Sequence, residues 1–159
     1  MGIDDSDFGE CFRVHYPRLV RLLSPVGHDA SDAVQEAFIA ALARWPTIRR
    51  YDDPIGWVRR VAINRMLNES RRVRRRDAAL VRAFERDGVD PVLGGDDALE
   101  RAIRALPRQQ RMAITLHYLG QRSVAEVAAD MSVSEGAVKH HLHVGRTKLR
   151  ERLEVVRDV

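Results

Sequence analysis

A chain of 159 residues suffices for one medium domain or two small ones, and 45% hydrophobic residues exclude wholesale disorder. Lys and Arg total 27 against 23 Asp and Glu, a net charge of +4, so the placement of charge matters more than its sum. A single cysteine, Cys11, excludes an internal disulfide framework, and no apolar run reaches membrane-span length or forms a signal-peptide core, which together predict a cytoplasmic location.

The first residues are acidic, with Asp4, Asp5, Asp7 and Glu10. Apolar spacing of Phe8, Phe12, Leu19, Leu22 and Leu23 predicts a helix over 7–23, broken by Ser24-Pro25-Val26-Gly27. Asp29 or Ser31 is expected to cap a second helix running to about Trp45, with Val34, Phe38, Ala41, Leu42 and Trp45 along one stripe. Pro46 is expected to end it and leave 46–54 as a loop. Pro54 suits the first turn of a long helix from Ile55 through Arg71, Arg72, Arg74, Arg75 and Arg76, a pattern that permits continuation over 78–86. This concentrated cationic block implies a polyanionic partner.

Asp87–Asp96 is rich in Gly, Pro and Asp and poor in apolar residues, so it reads as a flexible linker. The chain therefore divides into a domain at 1–86, a linker at 87–96 and a domain at 97–159, all-α in both parts. The second domain opens with a helix over 98–106. Pro107 starts another over 108–119, with Met112, Ala113, Leu116 and Leu119 apolar, and Gly120 stops it.

The segment from Ser123 to Arg150 reads as two helices joined by a tight turn. Ser123 and Glu126 form a capping-box pair, and Val124, Val127, Ala128 and Met131 share an apolar face. Ser132 and Val133 make the turn. Ser134 is a natural N-cap for the next helix, although Ser132 with Glu135 offers a competing box. Val138, Leu142, Gly145 and Leu149 face inward, leaving Lys139, His140, His143 and Arg146 outside. A helix with that outer face is suited to phosphates or base edges in a major groove.

Two other motifs weigh little. His140, His141 and His143, with His117 upstream, do not make a four-ligand metal site, since neighbouring residues point apart on a helix and no cysteine accompanies them; no metal or other cofactor is expected. Met1-Gly2-Ile3-Asp4-Asp5-Ser6 matches a loose myristoylation pattern, but its acidic residues oppose an anionic membrane.

Three segments in order resemble the extracytoplasmic-function sigma factors of bacterial RNA polymerase. They are Asp29–Phe38 (DASDAVQEAF), Asp53–Asn64 (DPIGWVRRVAIN) with the arginine block behind it, and Leu106-Pro107 with Arg111–Leu116 (RMAITL) ahead of the helix-turn-helix. The resemblance implies that Asp32, Gln35 and Glu36 dock on a basic coiled coil of the polymerase clamp, while Val34 and Phe38 point inward. An acidic, amide-bearing helix suits such a partner. It further implies that the first domain traps the unpaired minus-ten strand through Ile48, Tyr51, Arg59, Arg60, Asn64, Arg71, Arg72 and Arg75, with Arg65 and Arg76 adding charge. Trapping a strand calls for cations along the backbone and a pocket for an extruded base, and the Asn64 amide has the donor and acceptor that a base edge requires. Trp57 falls on the apolar face with Val61 and is expected in the core.

By the same resemblance Glu135, Gly136, Lys139, His140, His143 and Arg146 read the minus-thirty-five duplex. Departures are visible: His140-His141 stands where relatives often have Ser-Arg, Val144 where Arg is common, Gly145 where Ala is common, and Ser132 at a turn position often Gly. Fewer fixed cations and more histidines predict duplex binding that strengthens below about pH 6.5. The implied partners are core polymerase, promoter DNA in duplex and single-stranded form, and an anti-sigma factor. No catalytic residues are expected and the protein is not read as an enzyme. Competing readings are a helix-turn-helix regulator that does not join polymerase, which would need no docking helix at 29–38, and a helical adaptor, which would need no arginine block.

Overall fold

The computed structural model describes residues 5–76 and 97–157, which contain helices and no strand. The possible continuation over 78–86 and the whole of the expected linker at 87–96 lie outside the described residues.

Helix α1 spans Asp5–Leu23 and carries rings at intervals of four, so Phe8, Phe12 and Tyr16 share one face. They meet the second helix edge-on: the Phe12 and Phe38 centroids are 5.0 Å apart at 78°, and Phe8 meets Trp45 at 5.3 Å and 80°. Helix α2, Ala30–Ala43, buries Ala33, Val34, Ala37, Phe38 and Ala41. Its alanines let α4, Pro54–Arg76, lie close, filling the core with Val58, Ala62, Ile63, Met66 and Leu67. Asp53 caps α4 by accepting the Gly56 N–H at 2.9 Å.

Three local expectations change. Helix α2 stops at Ala43, and Trp45–Ile48 forms a separate one-turn helix, α3, with Pro46 in its first turn. Pro46 opens a helix here instead of closing one, because its missing N–H is no loss at that position. Leu42 leaves the expected inward stripe and is exposed. Asp29 holds the N-cap position of α2 without a side-chain cap bond, and Ser31 pairs with the Tyr16 hydroxyl at 3.0 Å.

In the C-terminal half, α5 is Asp97–Arg104 and α6 is Arg108–Ile114. Helix α6 runs into a π-helical turn, Thr115–Leu119, closed by Gly120 N–H to the Thr115 carbonyl at 3.0 Å. Helix α7, Val124–Met131, starts at Ser123, whose Oγ accepts the Glu126 N–H at 3.1 Å. The Glu126 carboxylate pairs with Arg122 at 3.1 Å. Ser132 turns the chain in the left-handed region (φ 57°, ψ 45°). Ser134, not Ser132, caps α8 (Glu135–Arg157), accepting the Ala137 N–H at 3.1 Å. Val138, Leu142 and Gly145 of α8 face inward as expected. A Cβ on Gly145 would lie 3.1 Å from Ile114 Cγ1, so this glycine lets α6 and α8 approach closely.

The two halves share one apolar core, from Leu19, Phe38 and Ile63 to Leu106, Leu116, Val127 and Leu142. Helix α7 packs on α4, and the π-turn packs on α1. Arg108 crosses the boundary to pair with Asp29 and to donate to the Met66 carbonyl at 2.9 Å, while Arg111 donates to the Val26 carbonyl.

Candidate nucleic-acid interface

Three surfaces carry the residues singled out in the sequence. On α2, Asp32, Gln35 and Glu36 are exposed on one side, because Val34 and Phe38 commit the other to the core. Glu36 accepts a bond from Arg65 of α4 at 2.8 Å. One turn further, Ile39 is 60% exposed, and Leu42 continues the same side. The sequence reading missed this apolar extension. The signal was there, since Ile39 follows Gln35 by four residues and Glu36 by three.

Helix α4 and the segment before it form the second surface. Tyr51 is exposed, Arg60 and Asn64 are half-buried, and Trp57 packs partly against the core as expected. Ile48 departs from its assigned role: it is 1% exposed and belongs to the core, held there by the one-turn α3. Arg59 also departs, being 8% exposed. Its Nε donates to both carboxylate oxygens of Asp130 on α7 at 3.2 Å, and its guanidinium lies 3.5 Å from Asp53. Asn64 donates to the Arg60 carbonyl at 2.8 Å and to Ser132 Oγ at 3.3 Å. Arg71, Arg72, Arg75 and Arg76 lie within α4, and their side chains are outside the described residues.

The third surface is the outer face of α8. Glu135, Gly136, Lys139, His140, His143 and Arg146 are all exposed, as the helical spacing requires. Arg146 donates to the Tyr118 hydroxyl at 3.1 Å. Tyr118 was not foreseen; the π-turn carries it outward, 50% exposed, beside α8. His141 sits half-buried on the other side, where burial first and the neighbouring His140 second lower its pKa. It therefore gains charge at lower pH than an ordinary histidine. Among the described residues no His, Cys, Asp and Glu cluster could hold a metal ion.

A groove of about 450 Å³ between α1, α3 and the start of α4 is lined by Asp7, Cys11, His15, Trp45, Arg49 and Asp53, among others. Burial, then Asp7, raises the Cys11 pKa. Burial, then Arg18, lowers that of His15 against an opposing pull from Asp53. Among the described residues no helix is long and apolar enough to cross a membrane.

Comparison with known proteins is consistent with this arrangement. Residues 11–76 match the family model described as sigma-70 region 2, and residues 96–149 that described as sigma-70, region 4. The ECF RNA polymerase sigma factor SigM of Mycobacterium tuberculosis is 31% identical over 92% of this chain and 76% of its own length. SigE of Mycolicibacterium smegmatis is 32% identical over 91% of this chain and 60% of its own, and SigW of Bacillus subtilis 27% over 87% and 82%. Among solved structures, the sigma factor RpoE in complex with the anti-sigma factor NepR from Bartonella quintana aligns with a TM-score of 0.70 at 23% identity, covering 94% of this chain and 98% of that one. CnrH in complex with the cytosolic domain of CnrY aligns at 0.62 and 24%, covering 96% and 90%.

Proposed function

The chain belongs to the sigma-70 family, among the extracytoplasmic-function sigma factors of RNA polymerase, and from that premise we propose how its three surfaces divide the work of initiation. The outer side of α2 docks on the polymerase through Asp32, Gln35 and Glu36, with Ile39 and Leu42 as the apolar part of the contact. Helix α4 holds the unpaired minus-ten strand through Arg60, Asn64 and the arginine block, with Tyr51 placed to stack and Arg59 available once it leaves Asp130. The outer face of α8 reads the minus-thirty-five duplex, with Lys139 as its central cation and Arg146 steadied by Tyr118.

The observation that carries this reading is the joint exposure of an acidic–apolar docking strip on α2 and a basic strip on α8. The strip on α8 alone would serve any duplex-binding regulator. The strip on α2 has no use in such a protein and suits a positively charged protein surface. The proposed role requires binding and strand capture, with no covalent chemistry by the chain. An anti-sigma factor accompanies the solved RpoE, and we extend that class of partner to this chain.

The test is reconstitution. Purified chain mixed with core polymerase is expected to give a stoichiometric complex that transcribes from a promoter with both elements. A chain that binds duplex with a steep salt dependence yet never joins core polymerase would instead be a free-standing regulator.

A further inference from the structure

Two exposed side chains from different elements meet beside the outer face of α8. Arg146 of α8 donates through Nη1 to the hydroxyl of Tyr118, which the π-helical turn supplies, at 3.1 Å. Among the described residues the Arg146 guanidinium makes no other bond, so no carboxylate balances its charge. The phenol is itself held in place. Its ring lies edge-on to that of His117, with centroids 4.8 Å apart at 80°, and His117 Nδ1 is 2.7 Å from the Arg122 carbonyl oxygen. A guanidinium on a long side chain loses rotamer freedom when it binds, and a fixed phenol beside it removes part of that cost in advance.

The hydrogen atoms show what the pair can hold. A phenol oxygen that accepts from Arg146 still has its own hydrogen to donate, and a guanidinium that gives one N–H to the phenol has others left. The pair therefore offers donors from two directions and one positive charge, which matches the oxygens of a phosphate. Position selects a phosphate over a base. Arg146 follows Lys139 by seven residues, about 10 Å along α8. Residues near the start of such a helix reach base edges. The major groove admits a single helix, so a side chain on a neighbouring element meets the wall of the groove and not its floor. Resting on the role proposed above for α8, we propose that Tyr118 and Arg146 clamp one backbone phosphate at the edge of the duplex, with Tyr118 as the positioning residue for Arg146. Such a contact carries no sequence information and sets the register of α8 on the groove.

The test uses the full chain and a short fluorescein-labelled duplex of random sequence, since a phosphate contact does not depend on the bases. Tyr118→Phe removes the hydroxyl alone and is expected to weaken binding about five-fold, with an unchanged dependence on salt because no charge is lost. Arg146→Ala is expected to weaken binding about ten-fold and to lower the slope of log affinity against log salt by about one. In the Arg146→Ala background the effect of Tyr118→Phe should shrink to about two-fold or less, since the two act as one unit. A merely structural tyrosine would lower the melting temperature and leave no such coupling. Parental affinity in Tyr118→Phe, a gain in affinity, or an equal loss in both backgrounds overturns the clamp. Lys139→Glu separates this from the reading it rests on. If that charge reversal leaves duplex affinity at the parental value, α8 is not the duplex reader and the clamp falls with it. If Lys139→Glu weakens binding and Tyr118→Phe does not, the clamp alone is wrong.

Discussion

Lys139 and His141 lie two positions apart on α8 yet face different surroundings, and their substitutions test different properties. Lys139 is exposed on the outer face of α8. Lys139→Ala is expected to weaken binding to a minus-thirty-five duplex by about ten-fold, the equivalent of one lost base or phosphate contact, while core polymerase binding stays unchanged. Fluorescence anisotropy and co-elution measure the two separately. His141 is half-buried with a lowered pKa, as is His15. In each case the unfolded chain takes up a proton at higher pH than the folded chain. No stability is lost above about pH 6.5, and stability falls as pH drops from there toward the depressed folded value. Thermal melting at pH 7.5 and 5.5 should show this, and His141→Gln should flatten part of the slope.

The helices were largely legible, because each buries a stripe at a period of 3.6 residues with breakers between. Prediction failed at Trp45–Ile48, where side-chain burial overrode local punctuation. Trp45 and Ile48 both reach the core, and a single helical turn between them places Pro46 at its start. Drawing Ile48 inward also removed it from the strand-facing set. Leu42 was misjudged because an apolar residue at the edge of a stripe looks the same in sequence whether it is buried or left for a partner. With Ile39 it gives the exposed side of α2 an apolar end. Glu36→Lys is expected to weaken core polymerase association by about ten-fold or more by reversing a charge at the contact. Ile39→Ser should cost about 1 kcal/mol of the same affinity through lost apolar burial. Titration calorimetry against core polymerase reads both, and melting temperature should hardly move because both side chains are exposed.

At the scale of the whole molecule, the shared core and the ion pairs that tie Arg59 to Asp130 and Arg108 to Asp29 make the halves one cooperative unit. Calorimetric and van't Hoff enthalpies of unfolding are expected to agree, despite the chain's two-part sequence. Asp130→Asn, which leaves Arg59 facing a neutral group, should separate the transition into two and lower stability by about 3 kcal/mol or more. None of this was visible in the sequence. Arg59 and Asp130 stand 71 positions apart, and nothing in composition or periodicity pairs a charge on one helix with a carboxylate beyond a linker.

The exposed outer face of α8 gives the chain a consequence in time. On the roles proposed for these helices, a duplex could meet α8 without rearrangement, whereas a strand that needs Arg59 would first have to part it from Asp130.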